Sequence, residues 1–279
     1  MNNLQISLSQ TTLNTFLKKS LSLVRQSEPI SNVIVEKNGV KVTANIQLKS
    51  IEVDDLNLAE PNKVSLNNVK LSFELLNVVV EVDIKRIHDS IKVLNLPGDR
   101  LDVEISWDFF EGEPDIKLTL GIEDYFSPQF TAEMNFSING LDVMVGLSNF
   151  NVHSLNIASN LGEKIEDQII NEVKQIIKEK IGEWADKVLD FIGDLARFLP
   201  VDNMASWIVV ELSESEVFKH LVEKAVKDNV KEEKVYTIPN KFELGKDQTK
   251  VNVSLADENT ASVHVENGTL IGLVNFKDI

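Results

Sequence analysis

The fold is decided by residues 161–199, which read LGEKIEDQIINEVKQIIKEKIGEWADKVLDFIGDLARFL. Apolar residues recur along this stretch every three or four positions, which is the spacing of one face of an α-helix. Pro200 follows, and proline cannot continue a helix. The sequence therefore predicts one long helix over residues 160–199, which would run roughly 58 Å at about 1.5 Å per residue.

The chain before this helix alternates between apolar and polar residues, for example from Val40 to Leu48 and from Phe130 to Ile138. Such alternation is typical of antiparallel strands with one dry face and one wet face. Asn-Gly pairs at 38–39, 139–140 and 267–268 predict type I′ hairpin turns. We therefore predict an antiparallel meander over residues 32–158.

Shorter elements flank the meander and the long helix. Residues 1–31 predict a strand and then an amphipathic helix that Ser9 caps. Residues 200–279 predict a helix over 214–230, capped by Ser213 or Ser215, and closing strands. The apolar cluster from Met204 to Val210 favours a buried strand over a lid at a cavity mouth. The expected fold is a single α+β domain over residues 1–279, with two shorter helices.

An apolar stripe as long as the predicted helix needs an equally long cover. A strand of about eight residues covers only about 26 Å, so the sheet must be many-stranded and strongly curved around the helix. The two inner faces of such a tube leave apolar gaps, which take an apolar guest. The alternative for the same residues is plain core packing. The candidate lining residues are Phe16, Ile169, Val173, Ile176, Trp184, Val188, Phe191 and Trp207.

The alternating start Ile6-Ser7-Leu8-Ser9, the pair Leu13-Asn14 and the element order carry a family resemblance. The order of elements, which is a short helix, a meander, a very long helix and closing strands, resembles that of the TULIP superfamily of tubular lipid-binding domains. This superfamily includes the bactericidal/permeability-increasing and Takeout families and the SMP modules. The resemblance covers nearly the whole chain as a single unit. It implies a highly curved antiparallel sheet wrapped around one long helix, with a lipid or another apolar molecule in the tube. The cationic surface and the disulfide of many relatives are missing.

Composition argues against several other classes of protein. The formal net charge is -16 with no cysteine and four histidines, and arginines are few. Nucleic acid needs a clustered basic face, which this sequence lacks. The histidines show no metal-ligand spacing, and no nucleophile elbow or phosphate loop occurs. We therefore expect no cofactor, no metal and no catalytic residue.

The resulting hypothesis is non-enzymatic binding or transport of a lipid or another hydrophobic ligand in an elongated apolar tube. The alternative is a structural or protein-interaction module with a filled core, acting through an exposed sheet edge or helix face. A hydrolase is the third and least favoured. No membrane-spanning segment is expected, whereas transient membrane contact and a protein partner both fit. The sequence as given fits a cytoplasmic protein, or an exported chain that has lost its signal peptide.

Overall fold

The computed structural model describes residues 3–21, 28–83, 115–181, 201–244, 251–254 and 261–275. Within these residues the chain is α+β, which confirms the predicted fold class in outline. The helices are α1 (Gln10–Leu21), α2 (Leu161–Ile181), α3 (Val201–Glu214) and α4 (Glu216–Asn229). The strands are β1 (Asn3–Ser9), β2 (Ile30–Lys37), β3 (Val40–Ala59), β4 (Lys63–Val82), β5 (Ile116–Gly121), β6 (Gln129–Asn139), β7 (Asp142–Ser154), β8 (Glu233–Thr237), β9 (Lys241–Leu244), β10 (Val251–Ser254), β11 (Ala261–Glu266) and β12 (Thr269–Asn275).

One large antiparallel sheet dominates the structure, as the alternating sequence predicts. Its strands follow the order β2-β3-β4-β6-β7-β8, and β5 also pairs with β4. A second sheet has the order β1-β12-β11, and β9 pairs with β10 in a separate hairpin. The first strand of the chain therefore lies beside the last one. The alternating residues from Leu101 to Phe109 predict a further strand, and they lie outside the described residues.

The length of the large sheet comes from two long strands. β3 and β4 have 20 residues each and pair from Val40 opposite Val82 to Ala59 opposite Lys63. Strands of this length span about 66 Å at about 3.3 Å per residue. The sequence predicts several shorter strands here, and the structure corrects this to one long hairpin pair.

Paired irregularities bend this long hairpin near its middle. The register between β3 and β4 shifts on both sides of Leu48, which leaves Glu74 and Lys49 as the extra residues of their strands. An extra residue reverses the alternation, because successive side chains point to opposite faces. Buried positions accordingly step from Leu48 to Ile51 in β3, three residues apart. The hydrophobic face continues across the bulge while the backbone changes direction.

Several helices share the apolar face of the sheet. α1 packs on β1 and on β3, and α4 packs on β2, β3 and β7. α2 packs mainly on α3 and β5. The predicted long helix begins at Leu161 as expected and is described through Ile181, so its 21 described residues span about 31 Å. Its continuation over 182–199 lies outside the described residues, and the wrapped tube stays a prediction.

Three details of the sequence prediction are corrected. The apolar cluster after Pro200 is helical, because Ala205, Ile208 and Leu212 fall on one buried face at helical spacing. The described residues therefore contain three shorter helices where two were predicted. The turn at Asn139-Gly140 is shifted by one residue, since Asn139 pairs with Asp142 and only Gly140 has a positive φ, of 63°.

Other local predictions are confirmed. Asn38-Gly39 and Asn267-Gly268 have positive φ at both residues, as a type I′ turn requires. The helix predicted over 214–230 is α4, and its cap is Ser215, whose hydroxyl accepts a hydrogen bond from the Phe218 N–H at 3.1 Å. The other proposed cap, Ser213, instead donates to the carbonyl of Val209.

Candidate functional site

A gap in the large sheet forms a cavity among the described residues. β4 pairs with β6 only at residues 63–65 and with β5 only at residues 77–82. Between these two contacts the chain from β5 to β6 bows away from β4. We call the resulting cavity, between residues 69–73 of β4 and residues 123–130, the slot; its volume is about 510 Å³.

The two bulges lie at one end of the slot. Lys49 is the extra residue on β3, and it borders the cavity together with Phe73. Bulges bend a strand and redirect the side chain at the extra position. The bend in the β3–β4 hairpin therefore separates β4 from the β5–β6 segment and turns Lys49 toward the opening.

Aromatic rings line the inner side of the slot and connect it to the core. The rings of Phe73 and Phe126 meet edge to face with their centroids 5.7 Å apart. Phe126 also stacks on Phe218 of α4 at a centroid distance of 5.7 Å, and Phe218 is fully buried. Phe130 lines the same cavity and packs on Phe150 at 4.9 Å. These packed rings connect the open sheet edge to the helix layer.

The far wall of the slot is held in place by backbone contacts. A 3-10 turn over Glu123–Tyr125 follows β5, and Phe126 then forms a β-bridge with Ile157. The Ala158 N–H donates to the Tyr125 carbonyl at 2.8 Å, and the Lys164 ammonium lies 5.2 Å from the centre of the Tyr125 ring. These contacts tie the wall to the start of α2, so the gap is part of the folded architecture.

Both faces of β4 border the slot because the cavity lies along the strand edge. Val69, Leu71 and Phe73 are half-buried and pack against the core. Lys70 and Ser72 alternate with them and point to the other face. The opening therefore has an apolar inner side and a polar outer rim, to which Glu123 also contributes.

The residues predicted to line a tube lie elsewhere. Ile169 and Val173 are buried in the core on α2, and Ile176 is half-buried beside them. Trp207 is half-buried on α3 and donates its indole N–H to Glu211 at 2.9 Å. None of these four residues borders the slot. Their predicted role as the lining of a tube stays a prediction.

The remaining predicted lining residues are not described. Phe16 belongs to α1, but its side chain lies outside the described part of the structure. Trp184, Val188 and Phe191 fall within residues 182–200, which also lie outside it. Their predicted role stays a prediction.

Titratable groups mark no reaction centre in the described part of the chain. His153 and His220 are exposed, and the His220 ring contacts the Glu216 carbonyl of its own helix. His264 lies 3.9 Å from Glu266 on β11. The described residues contain no group of three or more metal-ligating side chains, and no described helix is both long and apolar enough to cross a bilayer.

The carboxyl group of Glu81 has a lowered pKa for a structural reason. Hydrogen bonds from Lys117 and then from Lys41 lower the pKa of Glu81 below its usual value. The ammonium groups lie 2.8 Å and 3.1 Å from its carboxylate oxygens, across neighbouring strands. Glu81 lies where β3, β4 and β5 pair, so its ion pairs with Lys41 and Lys117 link the three strands next to the slot.

No known protein family matches the chain, and no curated protein resembles it significantly in sequence. The geometry of the slot is therefore the main basis for assigning a function.

Proposed function

We propose that the protein binds a lipid or another apolar small molecule without catalysing a reaction, and that the slot is part of its binding site. The observation that carries this proposal is the row of Phe73, Phe126 and Phe218, which extends from an open sheet edge into the core. An apolar chain laid in the slot against Phe73 and Phe126 would leave water and gain about 25 cal/mol for each Å² buried.

The size and lining of the slot support this proposal. Its volume of about 510 Å³ falls within the roughly 300–1,000 Å³ of small-molecule pockets. Apolar and polar side chains both line it, so an apolar chain would contact the rings while the charged side chains orient a polar end. The proposed resemblance to the tubular lipid-binding superfamily points to the same class of ligand.

Two measurements test the proposal. Native mass spectrometry after mild purification should detect a bound apolar molecule, and the delipidated protein should take up a fluorescent fatty acid saturably. Phe126→Ala should change that affinity, whereas Tyr236→Ala, at a 41% exposed position on β8, should leave it unchanged. If no mass is bound and uptake does not saturate, the proposal is wrong.

The alternative function is recognition of an extended peptide by the same strand edge. On the side away from β3, residues 67–75 of β4 have no strand partner among the described residues. An open edge offers N–H and C=O groups for an added strand. A peptide library screened against the delipidated protein would test this, and a proline in the middle of a bound peptide should abolish its binding.

A further inference from the structure

The slot is lined by more basic than acidic side chains, although the chain as a whole is acidic. Its net charge is -16, yet two lysines, Lys49 and Lys70, border one cavity. Both are exposed, and neither forms an ion pair within the described part of the structure. Glu52 is the register partner of Lys70 on β3, but no ion pair joins the two side chains. Glu123 is the one carboxylate among the residues that line the slot.

The position of these lysines follows from the strand geometry. Lys70 lies between Val69 and Leu71, so its side chain leaves β4 on the face opposite to theirs. Lys49 is the bulged residue of β3 and reaches the same opening. Both lysines are exposed and line the slot, while the Phe126 ring lines it from the side that packs on the core.

We infer that the slot takes a single-chain amphiphile with an anionic head group, whose head lies at Lys49 and Lys70 and whose tail lies in the slot against Phe73, Phe126 and Phe130. This inference rests on the proposed function, because it assumes that an apolar chain occupies the slot. A carboxylate and a phosphate both satisfy the lysines, since each offers anionic oxygens to ammonium donors. A cationic head is disfavoured by the same charges.

Equilibrium dialysis of the delipidated full chain tests the inference directly. Radiolabelled hexadecanoate, hexadecyl phosphate and hexadecanol share one tail and differ in the head group. We expect at least one of the two anions to bind about fivefold or more tightly than the alcohol, because partly exposed ion pairs contribute roughly that factor. The tighter anion identifies the head group. Raising the ionic strength should reduce the preference.

Charge-removing variants locate the head group. Replacing both lysines, as Lys49→Gln with Lys70→Gln, should weaken anion binding about fivefold or more and leave hexadecanol binding unchanged. The matched control is Lys37→Gln with Lys231→Gln, two exposed lysines away from the slot that form no ion pair in the described part. The control should bind all three probes like the parent chain.

The possible failures are distinguishable. If the alcohol binds as tightly as both anions, or if the double variant keeps the full preference for anions, the inference is wrong while the proposed function survives. If none of the three probes binds saturably, both are wrong.

Discussion

Truncating Phe126 tests whether the aromatic row is a packed part of the fold. The ring is half-buried and contacts the rings of Phe73 and Phe218, each at a centroid distance of 5.7 Å. A fully buried phenylalanine loses about 3–5 kcal/mol of stability when it is replaced by alanine. Roughly half of that, with about 0.5 kcal/mol for each of the two ring contacts, gives an expected loss of about 2.5–3.5 kcal/mol for Phe126→Ala.

Urea unfolding followed by tryptophan fluorescence measures this loss. The midpoint should fall while the denaturant slope stays constant, which indicates a change in stability alone. Phe126→Leu keeps most of the apolar volume and loses the ring contacts, so it should cost about 1 kcal/mol. Tyr236→Ala is the control on the exposed surface and should change stability by less than about 0.5 kcal/mol. If Phe126→Ala matches this control, the aromatic row is not packed as described.

Three further changes test separate parts of the structure by the same unfolding measurement. Ser215→Ala removes the side-chain cap on the Phe218 N–H and should cost about 1 kcal/mol; no loss would show that the cap is dispensable. Glu81→Gln should cost about 0.5–1 kcal/mol at pH 7, mainly through its lost bond to Lys117. Because the pKa of Glu81 is lowered in the folded state, the stability difference between the parent chain and Glu81→Gln should hold above the ordinary carboxyl pKa. It should vanish as the pH falls through the lowered folded-state pKa. A stability difference that persists in strong acid would contradict the ion-pair origin. Gly162→Ala should stabilise the protein by about 0.5 kcal/mol, because the added Cβ would lie 3.7 Å from the nearest side-chain atom, which is an ordinary contact. A loss of stability would show that the packing around Gly162 is tighter than described.

Local signals in the sequence predicted local structure well. Asn38-Gly39 and Asn267-Gly268 form the expected turns because both residues of each pair tolerate positive φ. α4 follows from its capping serine and its helical spacing of apolar residues. The cluster from Met204 to Val210 was misassigned because a short apolar run fits a buried strand and a buried helix equally well.

The slot could not be predicted because it depends on pairing between distant strands. β4 pairs with β5 at one end and with β6 at the other, and the gap exists only because neither partner reaches its middle. The sequence does contain one signal of the bend. The alternating run ending at Leu75 occupies odd positions, and the run from Val78 occupies even positions. By alternation alone this change of phase indicates a break between strands, whereas the structure has a bulge within one continuous strand.

The account depends on an apolar chain lying in the slot between β4 and the segment 123–130. Photo-crosslinking with a diazirine-tagged fatty acid, followed by peptide mapping with and without excess unlabelled fatty acid, tests this most directly. We predict competable labelling of the peptides that contain Val69 to Phe73 and Phe126 to Phe130. Competable labelling confined to other parts of the chain, or labelling that excess fatty acid does not reduce, would contradict the account.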